Sequence, residues 1–272
     1  MFRFLIVFLL ILCFAPVSNF AQKTQELTNV LELQMPEGSG ANGSSVIWHA
    51  DVQKYYAVFA GNAEFPMAVF DNKGERLSDD DLYAQIDIRG MWYNSKSKKI
   101  QGNGYSNSGW INYELDENAI PKTTSVQVEG MRQPAKQSVG AYNFQNNKVY
   151  FLKGNMIMAY KDNGDELGKE VTLFAGKTDE KDTKVDESQD PYLLPSTYNA
   201  TTVIYTGKAK AELGLYNTEN KTIELYDVKT GLMTEKLKLP EDAPTETVFN
   251  FSYANGIVWL FNKEKRQWVG YK

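Results

Sequence analysis

Val139–Leu167 reads VGAYNFQNNKVYFLKGNMIMAYKDNGDEL, and its punctuation decides the fold. Three apolar runs, Val139–Phe144, Val149–Leu152 and Met156–Tyr160, are followed in turn by Gln145-Asn146-Asn147, Gly154-Asn155 and Asp162-Asn163-Gly164. Asn and Gly adopt positive φ at little cost, so short β-rich runs joined by them read as hairpins rather than interrupted helices. The unit is a three-strand β-meander.

Four further stretches repeat it in blurred form. The first holds Val46–Asp51, Tyr55–Ala60 and Met67–Phe70; the second holds Ile88–Tyr93, Lys99–Tyr105 and Trp110–Leu115. Beyond the opening stretch lie Thr202–Thr206, Leu213–Asn217 and Thr222–Asp227, then Phe249–Tyr253, Ile257–Phe261 and Gln267–Tyr271. Four of the five third strands run into a similar turn: Phe70-Asp-Asn-Lys-Gly74, Leu115-Asp-Glu-Asn-Ala119, Tyr160-Lys-Asp-Asn-Gly164 and Tyr226-Asp-Val-Lys-Thr-Gly231. An aliphatic residue soon follows each, which reads as entry into a fourth strand. Unit starts are spaced about fifty residues apart, as four-stranded modules with generous loops require. No long stretch after the N-terminal segment repeats apolar positions at helical spacing.

On these turns the chain resembles the β-propeller superfamily, and its D-x-x-G-x-L-like turns are similar to those of NHL-type and other bacterial secreted propellers. Two departures stand out: Asn118-Ala119 replaces Gly in the second unit, and the fifth unit has no such turn. The expected architecture is all-β, a five-bladed β-propeller of four-stranded antiparallel blades spanning 30–272. Six blades would require one hidden in 168–200. The fifth unit ends at Lys272 directly after its third strand, so residues 30–35 are expected to supply the missing strand and close the ring. Leu31-Glu-Leu33-Gln-Met-Pro36-Glu37 enters the first unit as Leu237-Lys-Leu239-Pro240-Glu241 enters the fifth.

Met1–Ala21 carries Arg3, the apolar run Phe4–Phe14 and a small residue at Ala21, the pattern of a secretory signal peptide. The run is too short to span a bilayer of about 30 Å. Lipidation at Cys13 is the rival reading, disfavoured by Leu12. Loss of Cys13, the only cysteine, would leave no disulfide or thiolate site. Residues 22–29 read as a short linker, and Lys177–Asp190, with one aliphatic residue, as a flexible acidic loop. Its acids Asp179, Glu180, Asp182, Asp186 and Glu187 lack the spacing and central Gly of a calcium loop. No metal site and no cofactor is expected.

The formal charge of −5 becomes −6 without Arg3, and the basic residues are interspersed with acids. A nucleic-acid partner is therefore not expected. His49, the only histidine, lies in Trp48-His49-Ala50-Asp51 without a nucleophile-elbow motif, so a structural or ligand-contacting role outweighs a catalytic one. Asp51, Asp87 and Glu129 are the acids nearest the inner strands and would be the carboxylates of a glycosidase. The expected ligand-binding set is Trp48, His49, Asp51, Asp87, Arg89, Trp92, Tyr142, Tyr205 and Tyr253, near the end of a central channel, with Phe251 on the same strands. Packing between blades is the commoner role for each aromatic. These features point to a monomeric, secreted or periplasmic, non-catalytic protein that binds a protein, peptide or glycan at one face. The alternatives are a glycoside hydrolase or lyase, and an envelope-assembly scaffold with an exposed apolar rim.

Overall fold

The structure, a computed structural model, describes residues 23–179, 181 and 193–272. The signal-like segment and most of the acidic stretch 177–190, including five of its six acids, lie outside the described residues. The chain opens with β1 (Lys23–Glu26) and β2 (Asn29–Gln34), and blade one follows as β3 (Asn42–His49), β4 (Lys54–Ala60) and β5 (Met67–Phe70). Blade two is β6 (Ile88–Asn94), β7 (Lys99–Gly104), β8 (Trp110–Leu115) and β9 (Pro121–Val128). Blade three is β10 (Ala141–Asn143), β11 (Lys148–Lys153), β12 (Met156–Lys161) and β13 (Glu166–Thr172). Blade four is β14 (Ile204–Tyr205), β15 (Leu213–Asn217), β16 (Thr222–Tyr226) and β17 (Met233–Lys238). Blade five is β18 (Phe251–Ala254), β19 (Ile257–Asn262) and β20 (Gln267–Tyr271), with β2 as its outer strand.

There are thus five sheets among the described residues, one for each repeat read from the sequence. In blade one the outer position is held by isolated bridges, Phe70 to Arg76 and Pro66 to Tyr83, because the intervening Asp79-Asp80-Asp81 offers no apolar face to a regular strand. The inner strands touch in the order β3, β6, β10, β14, β18 and back to β3, which closes the circle.

Closure happens as expected: β2 pairs antiparallel with β20, with Leu33 opposite Trp268 and Glu32 opposite Val269. The segment 22–29 is not a plain linker, however. Lys23–Glu26 forms β1, which pairs in parallel with β17 on the outer edge of blade four, from Lys23 with Glu235 to Glu26 with Lys238. All four β1 residues are exposed, so no hydrophobic pattern announced the strand; it covers backbone groups that the edge of β17 would otherwise leave open.

Neighbouring inner strands are stitched together by side chains that satisfy backbone groups. Ser252 Oγ accepts from Val46 N–H at 3.0 Å and donates to Val46 O at 2.9 Å. Asn250 Oδ1 accepts from Gly43 N–H at 2.7 Å, and Asn250 N–H donates to Gly43 O at 2.8 Å. Ser44 Oγ donates to Arg89 O, and Ser45 Oγ accepts from Met91 N–H. At the join of blades two and three only Gly fits at position 90, where a Cβ would lie 2.4 Å from Gly140 N.

The recurrent turn explains its own sequence. Gly164 has φ of +81°, a conformation that suits Gly. The same place in blade two is held by Ala119 at φ +56°, within a turn whose Asp116 Oδ1 accepts from Asn118 and Ile120 N–H. A left-handed non-Gly residue costs about 1–2 kcal/mol. Ala119→Gly is therefore expected to raise stability by up to about 1 kcal/mol after the entropy cost of Gly. A urea melt showing a lower midpoint for the variant would contradict this.

Candidate functional site

At the end of the ring where first and second strands meet, the inner strands leave an open cavity of about 570 Å³. Its position follows from register. Trp48, Tyr93, Tyr142 and Tyr253 each stand one residue before the final pair of their inner hairpin, namely His49 with Lys54, Asn94 with Lys99, Asn143 with Lys148 and Ala254 with Ile257. Blade four supplies Tyr205, the last residue of β14. Each blade thus sets at least one aromatic side chain around the mouth, and Ser45, Val139, Thr202 and Ser252 line the cavity deeper along the inner strands.

Most hydroxyls on the wall are already committed within the protein. Tyr93 OH donates to Asp51 at 3.1 Å, Tyr142 OH to Asn94 Oδ1 at 2.9 Å, Tyr205 OH to Gln145 at 2.6 Å and Thr206 Oγ1 to Ala211 O at 2.7 Å. The Ser45 and Ser252 hydroxyls serve the stitches between blades. Burial, reinforced by Asp51, pushes the Tyr93 hydroxyl up to about 12, and burial does the same for Tyr205, helped by Glu212. Both are neutral donors at ordinary pH. Tyr253 OH has no partner among the described residues, and burial raises its pKa as well. Among the described residues, no Asp, Glu, Lys, Arg or His lines the cavity.

A crystal structure of Myxococcus xanthus glutaminyl cyclase superposes with a TM-score of 0.56 at 9% identity, covering 92% of this chain and 97% of that one. The chain is a five-bladed β-propeller. A nidogen/laminin complex superposes more loosely, with a TM-score of 0.40 at 7% identity over 71% of this chain and 62% of that one. No protein-family model matches the sequence, and no curated protein is similar to it in sequence. At such identities the likeness concerns the fold alone.

The propeller separates the sequence-derived candidates. Trp48, Tyr142, Tyr205 and Tyr253 come together on the cavity wall. Trp92 borders the cavity, but its ring sits in the core, edge-on to Trp110 at 5.2 Å with Nε1 donating to Gln101. Its neighbour Tyr93 is the wall aromatic that sequence reasoning passed over; its place one residue before the hairpin, matched in the other blades, is the signal that marks it. Asp51 is exposed on the hairpin tip, paired with Lys98 at 3.2 Å, whose hydrogen bond holds its carboxyl below the usual range.

Arg89 lies near the opposite end of the channel, about 13 Å along the strand from Tyr93, with Asp87 just before the strand begins. The buried Arg89 guanidinium pairs with Asp87, donates from Nε to Gln137 at 2.6 Å and covers the Tyr105 ring at 4.4 Å. Its charge is thereby neutralised within the fold. The structure brings neither residue to the cavity.

His49 is buried behind the wall, stacked on Tyr93 at 4.0 Å, with Tyr56, Asp51 and Lys98 nearby. Burial holds its pKa below the ordinary 6.5, against the opposing pull of Asp51. The unfolded chain therefore takes up this proton first as pH falls, and stability drops between 6.5 and the lower folded value. His49→Gln is expected to flatten the melting temperature against pH between about 7 and 5 relative to wild type. Parallel profiles for the two proteins would rule out this contribution.

Proposed function

We propose that this propeller is a secreted or periplasmic protein that holds a ligand non-catalytically in the mouth of its channel. The signal-like segment Met1–Ala21 supports the location. The observation that carries the binding reading is the wall itself: an aromatic side chain from every blade and, among the described residues, no charged group. Small-ligand sites are typically concave, largely apolar and about 300–1,000 Å³ in volume.

Cleavage of a glycosidic bond needs two carboxylates about 5–10 Å apart. The acids considered for that role stand elsewhere: Asp51 on an outward tip, Asp87 against Arg89, and Glu129 exposed beyond β9. A sugar would also find few free hydrogen-bonding partners, since most wall hydroxyls are engaged. Among protein, peptide and glycan ligands, the wall suits one that presents apolar surface.

Calorimetric titration with a panel of apolar small molecules and peptides tests the reading, with Trp48→Ala and Tyr253→Ala beside wild type. One-site binding is expected, weakened about tenfold by either change, since a buried aromatic contributes about 1.5–3 kcal/mol and each 1.4 kcal/mol is tenfold. Turnover of aryl glycosides, or cyclisation of peptides with N-terminal glutamine, would overturn it in favour of an enzyme.

A further inference from the structure

We infer that the ligand is an anionic amphiphile, with an acyl or multi-ring body in the cavity and an acidic head at the hairpin tips; the inference rests on the binding reading above. Three observations converge on it. The first is size. A cavity of about 150 Å³ holds benzene, and this one, at about 570 Å³, takes a body well beyond a single ring or side chain.

The second is the chemistry of the wall. With all the described wall tyrosine hydroxyls but that of Tyr253 engaged and no charged group among the described residues of the lining, an inserted peptide backbone or sugar would lose its water with few equivalent partners. An acyl chain or fused ring system loses nothing there.

The third is the rim. Cavity lining passes directly into the hairpin tips at Ala50, Ser95, Phe144 and Thr206. Those tips carry Lys54, Lys96, Lys98, Lys148, Lys208 and Lys210, against Asp51 and Glu212, in a chain whose net charge is −5. The fifth tip, Asn255-Gly256, has no lysine of its own, but a Cβ on Gly256 would lie 3.9 Å from Lys272 Nζ. Several of the tip ammoniums are paired, Lys98 with Asp51, Lys148 with Glu170 and Lys208 with Glu235. Lys96 and Lys210 are exposed and have no ion pair among the described residues. A cationic rim over an apolar hollow focuses a field that favours an anionic head and disfavours a cationic one.

Dodecanoate, dodecanol and dodecyltrimethylammonium, each below its micelle concentration, separate the terms by calorimetry at low salt. One-to-one binding of dodecanoate is expected, with dodecanol about fivefold weaker or more and the cation weaker still. The double variant Lys96→Glu/Lys210→Glu should weaken dodecanoate about tenfold and leave dodecanol unchanged, and added salt should weaken dodecanoate alone. Both lysines are exposed on tips, so the variant keeps its fold. Equal binding of all three probes, or no effect of the double variant, would overturn the anionic head while the cavity reading stands. Sedimentation with phosphatidylglycerol vesicles but no one-to-one dodecanoate binding would overturn it in favour of a membrane surface. If no probe binds and the wider panel is also silent, the binding reading falls with it.

Discussion

Deletion of Val30–Met35 is expected to abolish cooperative melting or to lower the midpoint by tens of degrees. Leu33 and Met35 are 0% and 1% exposed, and Leu33 packs in the cluster that includes Trp259, Phe261 and Trp268. Truncating a single buried Leu or Met costs about 2–5 kcal/mol. Two such losses together with a whole ladder of hydrogen bonds approach the roughly 5–15 kcal/mol that separates folded from unfolded domains. The deletion also uncovers the edge of β20, so size-exclusion chromatography should show association beside the altered circular-dichroism melt. A chain that begins at Leu27 makes the control. It lacks only the exposed β1, and its midpoint should fall by a few degrees at most. If the two truncations melt alike, pairing of β2 with β20 is not what closes the ring.

Glu224→Leu is expected to lower the midpoint by about 10–20 °C. Glu224 is 2% exposed on β16, and its Oε2 accepts from Tyr226 OH at 2.5 Å, Tyr198 OH at 2.9 Å and Gly176 N–H at 3.1 Å. Burial, together with the Glu224 charge, holds both tyrosines well above their ordinary pKa, so they remain donors at any ordinary pH. Leucine leaves the buried Tyr198 and Tyr226 hydroxyls without this acceptor, each a loss of about 1–3 kcal/mol, while the exposed Gly176 N–H keeps Tyr226 OH at 3.3 Å. For a domain of this size, each kcal/mol corresponds to about 2–4 °C. The mechanism has its own check, because removing both sides of a buried hydrogen bond can be nearly neutral. Glu224→Leu combined with Tyr198→Phe and Tyr226→Phe should recover much of the loss. A triple variant no more stable than the single one would mean that the carboxylate acts in some other way.

The repeats were legible because each blade is a local object. Hairpins such as Val149–Leu152 with Met156–Tyr160 announce themselves as short apolar runs joined by Asn or Gly turns, and all five units appear where their runs predict. Closure by 30–35 was legible because the apolar Leu31, Leu33 and Met35 need a core that only another blade can supply. β1 was not, since KTQE buries nothing and its pairing is decided by an edge more than two hundred residues away in sequence. The site divided along the same line. Trp48, Tyr142, Tyr205 and Tyr253 were found from their strands, while Tyr93 and Trp92 are adjacent on one strand and only the register tells which of them faces the cavity.

The order of residues by itself determined an all-β chain of five modules and the strand that closes them, because turns and short apolar runs act over a few residues and an unfilled sheet demands a partner. Which carboxylates meet which cations, which hydroxyls remain free, and that the lysine-bearing hairpin tips of four blades meet at one apolar mouth were decided only in three dimensions. Those properties depend on distances between residues far apart in sequence, which the packing of five blades around one axis creates and no local pattern encodes.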